Sequence, residues 1–194
     1  MITVGILLFN EVEVLDFAGP FEVFSLAKQD DQKPFKVVTI ADNKDYISAR
    51  NGLKVIPEYR FDNCPPLNVL IVPGGYGAEE IAIKNQNLLN WIKTQSKQVQ
   101  ILASVCTGAI LLAECGLLDG KKATTHWADF ERLEKDYPKV QVIHDVKYVD
   151  ENEIITSGGI SAGINMSFHL VKRLTNLEVA KDTAKRMEYD IQID

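Results

Sequence analysis

The sequence has no long apolar run, no excess of basic residues and no cysteine or histidine spacing typical of a zinc site. None of its apolar segments approaches the roughly 18 residues needed to cross a bilayer, which predicts no membrane partner. A net charge of -6 and a pI near 5.1 disfavour the binding of nucleic acid through its phosphates. The cysteines number three, an odd count, and the three histidines are scattered. We therefore expect neither a metal nor another cofactor.

The chain of 194 residues has the length of one domain, and no repeat, low-complexity tract or linker divides it. Its 46% hydrophobic and 25% charged residues are ordinary for a soluble globular protein. Residues 1–4 already have the pattern of a strand, with no basic stretch or cleavage site ahead of them. The sequence thus predicts a single domain over residues 1–194, located in the cytoplasm.

Short apolar segments alternate with longer amphipathic ones along the chain. The apolar segments predict buried strands at 2–9, 35–41, 68–72 and 101–105, and Asn51-Gly52 predicts the turn of a hairpin. The amphipathic segments predict helices, among them 88–98, 126–136, one from Ser161 and one over 177–189. This alternation indicates an α/β fold with a mainly parallel sheet.

The main candidate for a reactive residue, Cys106, lies in the stretch 101–112. Cys106 lies at a sharp strand-to-helix turn, which predicts a thiol exposed on the rim of the sheet. The positive end of the following helix favours the thiolate, and Gly116 is suited to end that helix in the left-handed conformation. The alternative is that Cys106 is a small buried hydrophobic residue, and the local sequence leaves both interpretations open.

Three unusual loops favour the catalytic interpretation. Residues 11–20, 73–77 and 106–107 each follow a predicted strand. Because the carboxyl ends of parallel strands meet at one edge of a sheet, these loops are expected to share that edge, where binding sites form. A reactive thiol there needs a partner for proton movement and donors for negative charge.

The backbone N–H groups of Gly75 and Thr107 are the expected donors, because glycine leaves room for close approach. A plain turn or a phosphate loop is the alternative for Gly74-Gly75, but the spacing of a phosphate loop is missing. The Thr107 hydroxyl either orients substrate or water, or simply begins the helix. Gly74, Tyr76 and His126 are expected to line the pocket.

Asp16 is the leading candidate for acid–base work, although its spacing before Pro20 favours a helix N-cap, with the proline in the first turn. Three glutamates compete for the acid–base role, namely Glu11, Glu13 and Glu22. For His126, a packed position at a helix start is favoured over a Cys–His pair. His169, on an apolar helix face, is expected in the core or at an interface.

Several motifs, taken in order, carry a resemblance to a known family. They include Val4-Gly5-Ile6-Leu7-Leu8-Phe9, Leu15-Asp16-Phe17-Ala18-Gly19-Pro20, Val72-Pro73-Gly74-Gly75, Ala103-Ser104-Val105-Cys106-Thr107-Gly108, Ala123-Thr124-Thr125-His126-Trp127, Ser157-Gly158-Gly159-Ile160-Ser161-Ala162-Gly163 and Glu188-Tyr189-Asp190. With them the chain resembles the ThiJ/PfpI superfamily and, within it, the isonitrile hydratase branch. It departs from that branch at Asn165, where aspartate is frequent, and in its C-terminal tail, which lacks prolines.

The resemblance implies a flavodoxin-like sandwich with helices on both faces of the sheet, like the class I glutamine amidotransferases, and usually a homodimer. It implies Cys106 as nucleophile, Asp16 as the proton shuttle hydrogen-bonded to it, Thr107 following the cysteine and Ile160 bordering the site. The predicted reaction is hydration of an isonitrile, a small electrophile, to an N-substituted formamide: Cys106 attacks carbon, and Asp16 supplies a proton and then activates water. The alternatives are glyoxalase- or deglycase-like chemistry on small carbonyls, and a non-catalytic redox or ligand sensor related to domains fused to regulators.

Overall fold

A computed structural model describes residues 1–42 and 45–193 and forms the fold from short buried strands and longer helices. The strands are β1 Ile2–Leu7, β2 Phe35–Ala41, β3 Ile47–Ser48, β4 Lys54–Val55, β5 Tyr59–Arg60, β6 Val69–Val72, β7 Ile101–Val105, β8 Lys122–Ala123, β9 Gln141–Val142, β10 Tyr148–Glu151 and β11 Ile154–Ser157. The α-helices are α1 Val14–Leu26, α2 Tyr76–Glu80, α3 Gln86–Gln95, α4 Gly108–Glu114, α5 Phe130–Asp136, α6 Ala162–Leu174 and α7 Leu177–Arg186.

Seven strands form the central sheet in the order β10-β11-β7-β6-β1-β2-β5. All neighbours in this sheet are parallel except β10 and β11, which form an antiparallel hairpin. Every residue of β6 and β7 is buried, as expected for strands covered on both faces. The α/β fold with a mainly parallel sheet is confirmed.

The strand order reverses between β1 and β6. From β1 the chain moves through α1 to β2 on one side, and later continues through β6, α3 and β7 on the other. Because parallel crossovers are right-handed, this reversal places α1 and α3 on opposite faces of the sheet. Helices α1, α6 and α7 pack together, while α4 contacts α2 and α3. The chain therefore leaves β1 and β6 towards opposite faces of the sheet, and this switch point is where binding crevices form.

Local signals determined several boundaries correctly. The predicted hairpin is the β3–β4 pair, and both Asn51 and Gly52 have the positive φ angles that such a turn needs. Gly116, at φ 72°, follows α4 as predicted. None of the helices in the described residues is both long and apolar enough to span a bilayer.

The start of α1 is a correction. The helix begins at Val14, with Glu13 as its N-cap, so Asp16 lies inside the first turn and does not cap it. Pro20 consequently lies within the helix and not in its first turn. Two short elements, β5 and α2, were not expected from the sequence.

Candidate functional site

Backbone hydrogen bonds join the loops that follow β1 and β6. The Glu13 N–H donates to the Gly74 carbonyl at 3.0 Å, and the Gly77 N–H donates to the Glu11 carbonyl at 2.9 Å. Thr107, after β7, reaches the same place, because the Gly75 N–H donates to its hydroxyl at 2.9 Å. The three loops predicted to share one edge of the sheet therefore meet at the switch point.

Cys106 lies between β7 and α4 with a φ angle of 57°, in the left-handed region that non-glycine residues rarely adopt. Such a residue persists only where its surroundings hold it. The Cys106 N–H is shared between the Ser157 and Gly158 carbonyls, each at 3.2 Å. The Cys106 carbonyl accepts the Thr125 hydroxyl at 2.8 Å. These bonds fix the turn, and the cysteine is buried, with 5% of its surface exposed, contrary to the expected exposed thiol.

Gly74 allows the loop after β6 to touch the loop after β7. A Cβ atom on Gly74 would lie 2.5 Å from the Thr107 nitrogen and 2.7 Å from its hydroxyl oxygen. The Gly74 N–H donates to Asp16 Oδ2 at 3.0 Å. Of the two expected donors, the Gly75 N–H is thus already engaged by the Thr107 hydroxyl, and the Gly74 N–H binds Asp16 instead. The Thr107 and Ile160 N–H groups are the donors directed at the Cys106 sulfur.

Asp16 is fully buried beside Cys106. Its Oδ2 accepts the Gly74 N–H, but Oδ1 has no hydrogen-bond partner of standard geometry in the described residues. The Cys106 thiol and the Ile160 N–H nevertheless lie close enough to interact with the carboxyl and lower its pKa. Burial opposes them and dominates, so the pKa of Asp16 rises from 3.8 to about 7. Near neutral pH this carboxyl can therefore both hold and release a proton.

Burial also raises the pKa of the Cys106 thiol, and the negative charge of Asp16 raises it further. The expectation that the helix end makes Cys106 a thiolate is therefore wrong, because burial outweighs the effect of the helix. Helix α4 has only seven residues, and the Thr107 and Ile160 N–H groups offset only part of the cost of burial. The sulfur is a thiol held next to a carboxyl that can take its proton.

A cavity of about 320 Å³ opens above the Cys106 sulfur. It is lined by Glu13, Arg50, Gly75, Tyr76, Glu79, Cys106, Thr107, His126, Ala128, Asp129 and Ile160. Its volume is that of a pocket for a small molecule. A second cavity of about 310 Å³ lies around His169 and the C-terminal residues, remote from any cysteine.

The wall of the cavity carries several polar residues. The His126 Nδ1 atom caps the turn that follows it by accepting the Ala128 N–H at 3.3 Å, and lies 3.7 Å from Asp129 Oδ2. Glu79 pairs with Arg132 at 3.3 Å and interacts with the Thr107 hydroxyl. Burial raises the pKa of Asp129, and burial together with the Asp129 charge raises that of Glu79.

Most predicted site residues meet at this cavity. Tyr76, His126 and Ile160 line it, whereas Gly74 lies behind it and supports Asp16. The favoured interpretation of His126 as a hydrogen-bonded residue at a helix start agrees with its capping bond. Their roles in a reaction stay predictions.

The competing acids are separated by the fold. Glu11 pairs with Arg50 at 2.9 Å, Glu22 is exposed on α1, and Glu13 lines the cavity. His169 is partly buried and bonds Asp150 at 2.6 Å.

The sequence did not indicate Thr125, Glu79 or Asp129 as parts of the site. Asp129 follows His126 by three residues, and this spacing is the one sequence signal for it. No sequence signal indicates Glu79 or Thr125. Glu79 is placed at the site by α2, and Thr125 is placed there by the segment that follows β8. The described residues contain no group of three His, Cys, Asp or Glu side chains placed to hold a metal ion.

Comparison with known proteins gives a family and a range of relatives. Residues 2–173 match the model of the DJ-1/PfpI family. The chain is 34% identical over 187 residues to the isonitrile hydratase of Pseudomonas putida, an alignment that covers 96% of this chain and 78% of that enzyme.

Other relatives differ in how much of their own length the chain covers. The chain is 26% identical over 189 residues to the HTH-type transcriptional regulator GbdR of Pseudomonas aeruginosa, covering 97% of this chain but only 51% of the regulator. Among solved structures, a THiJ/PfpI family protein from Pseudomonas syringae superposes with a TM-score of 0.88 at 26% identity, covering 98% of this chain and 76% of that one.

Proposed function

The chain belongs to the DJ-1/PfpI family, and from that premise we propose that it is a hydro-lyase that converts an isonitrile to an N-substituted formamide, with Cys106 as nucleophile and Asp16 as acid–base residue. Its similarity to an isonitrile hydratase over most of the chain supports this choice of reaction. The substrate is a small electrophile bound in the cavity above Cys106.

One observation carries the proposal: a fully buried carboxyl with an unpaired oxygen lies beside the Cys106 thiol. An isonitrile needs a proton at the carbon that the sulfur attacks. The pKa of Asp16, raised to about 7 by burial, suits a group that accepts the thiol proton and passes it on. Thiol and carboxyl together hold the proton that the reaction needs.

The first step forms a bond between the Cys106 sulfur and the terminal carbon of the isonitrile. The thiol proton moves through Asp16 Oδ1 to that carbon, which gives a thioimidate on the enzyme. The Thr107 and Ile160 N–H groups are directed at the sulfur and steady its negative charge as the proton leaves. Water then adds to the thioimidate carbon, and the carbon–sulfur bond breaks to release the formamide.

The test is formamide production from an aryl isonitrile by wild type, Cys106→Ser and Asp16→Asn. We expect turnover in wild type and a loss of about 100-fold or more in each variant, since each lacks a reacting group. Cys115→Ser is the matched control, because Cys115 is a buried free cysteine at the end of α4, outside the cavity. Full activity of Cys106→Ser would refute the mechanism.

Sensing is a second candidate, supported by the similarity to one half of a transcriptional regulator. In that case the cavity binds a small molecule or the thiol is oxidised, and neither event is followed by turnover. Reversible oxidation of Cys106 without conversion of an isonitrile would favour it.

A parallel assay with methylglyoxal tests the glyoxalase- or deglycase-like alternative.

A homodimer remains our proposal for the assembly, from the resemblance described above. Sedimentation equilibrium measures it directly, and a molar mass of 21.7 kDa at micromolar concentration would contradict it.

A further inference from the structure

Asp129 lines the cavity above Cys106, whereas Asp16 is buried and is not part of the cavity wall. Asp129 is the residue just before α5, and its side chain lines the same cavity as Cys106 and Thr107. The negative charge of Asp129 raises the pKa of the Cys106 thiol, as that of Asp16 does. Carboxylates therefore approach the sulfur from two sides, one from inside the protein and one from the cavity.

The Asp129 carboxylate is free to bind a further molecule. No group in residues 1–42 and 45–193 makes a hydrogen bond of standard geometry to its oxygens. Its nearest polar partner is His126 Nδ1 at 3.7 Å, and that atom already accepts the Ala128 N–H. Glu79, by contrast, accepts a hydrogen bond from Arg132 at 3.3 Å. Glu13 also lines the cavity, but Asp129 is the lining acid whose charge acts on the Cys106 thiol.

Asp16 and Asp129 differ in their access to water. Asp16 has no exposed surface, whereas 16% of the Asp129 side chain is exposed at the cavity wall. Once a thioimidate occupies the sulfur, hydrolytic water has to enter from the cavity, because the opposite side is closed by α1 and the Gly74 loop. A general base for that water therefore has to lie in the wall of the cavity.

We infer that Asp129 is a second acid–base residue of this site, which activates the water that hydrolyses the thioimidate while Asp16 serves the attack of the thiol. The inference rests on the proposed hydratase function. It assigns the two half-reactions to two carboxylates, one buried beside Cys106 and one in the cavity wall.

Water oxygen bonds to the thioimidate carbon, one water proton passes to Asp129, and Asp129 returns it to the imine nitrogen. The carbon–sulfur bond then breaks, and the remaining hydroxyl proton returns to the sulfur through Asp16. The enzyme regains its thiol, and the product differs from the isonitrile by one water molecule.

The experiment separates the half-reactions with Asp129→Asn, which keeps the size of the side chain but cannot take a proton. The enzyme is mixed with an aryl isonitrile and the reaction is quenched at intervals. The mass of the intact protein is then measured by mass spectrometry, and formamide is measured in parallel. The adduct is heavier than the free enzyme by the mass of the isonitrile. Glu131→Gln is the matched control, since it removes one exposed carboxylate two residues along, on α5.

We expect Asp129→Asn to form the adduct within about two-fold of the wild-type rate and to hydrolyse it about 100-fold more slowly, so that the adduct accumulates. Adduct formation at the wild-type rate also shows that the variant site is folded. Asp16→Asn should fail earlier, without adduct. Unchanged formamide production by Asp129→Asn, or a loss of adduct formation in it, would overturn the inference while leaving the hydratase proposal intact. No formamide from wild type would overturn both.

Discussion

Replacing Asp16 by asparagine should make the protein gain stability relative to the wild type as the pH rises, even though it removes a proposed catalytic group. Burial raises the pKa of this carboxyl from 3.8 to about 7. The folded protein therefore holds a proton that the unfolded chain releases above about pH 4. The stability linked to this proton is fully present below the unfolded pKa and is lost as the pH rises through about 7.

The size of the effect follows from the pKa difference. One pKa unit corresponds to about 1.4 kcal/mol. At pH 5 the buried carboxyl lowers the free energy of unfolding of the wild type by the equivalent of about one pKa unit. At pH 8 it lowers that free energy by the equivalent of about three pKa units. Asparagine does not titrate, so the free energy of unfolding of Asp16→Asn should gain roughly 3 kcal/mol on the wild type between these pH values. Constant costs of the new amide group, such as an unpaired N–H, cancel in this difference.

Urea unfolding at pH 5 and pH 8, followed by tryptophan fluorescence, measures the difference. Trp91 is 8% exposed and Trp127 is 75% exposed, so Trp91 reports the transition. Glu79 and Asp129, whose pKa values are also raised, are present in both proteins and drop out of the comparison. Asp182→Asn, at an exposed position on α7, controls for the charge change. Parallel pH curves for wild type and Asp16→Asn would show that the carboxyl is already ionised in the folded protein, and the reasoning would fail.

Two further substitutions test how the turn at Cys106 is held. Thr125→Val removes the hydroxyl that binds the Cys106 carbonyl at 2.8 Å, and we expect a loss of about 1–2 kcal/mol in the free energy of urea unfolding, with Thr125→Ser close to wild type. Equal stability of the valine variant would show that the bond contributes little. Gly74→Ala places a Cβ 2.5 Å from the Thr107 nitrogen, and we expect a loss of about 2–3 kcal/mol together with reduced activity. Gly158→Ala, whose Cβ would meet its nearest neighbour at 3.5 Å, is the matched control, and equal losses in the two variants would contradict the argument.

The architecture could be predicted because its signals are local. Strands β6 and β7 are continuous apolar runs and lie in the middle of the sheet, buried on both faces. Asn51-Gly52 supplied the positive φ angles of a hairpin turn. The meeting of the three loops followed from the rule that parallel strands end at one edge.

The role of Asp16 in α1 could not be predicted in the same way. An aspartate ahead of a proline is typical of a helix cap, but here the helix begins two residues earlier, at Val14. The Glu13 N–H, at the cap position, is bound by the Gly74 carbonyl from another strand's loop. The helix thus begins where Glu13 bonds to Gly74, a residue 61 positions later in the chain. This start places the Asp16 carboxylate where it accepts the Gly74 N–H.

The sequence by itself determined the alternation of strands and helices, the place of Cys106 at a strand-to-helix turn and the glycines that allow loops to approach it. These properties depend on the residue and its near neighbours in the chain. The tertiary structure alone decided the protonation of the site. A helix end next to Cys106 favours the thiolate, yet burial and the charge of Asp16 raise the pKa of the thiol. Burial is a property of the whole packed molecule, and so is the arrangement that brings Asp129 into the same cavity as Cys106.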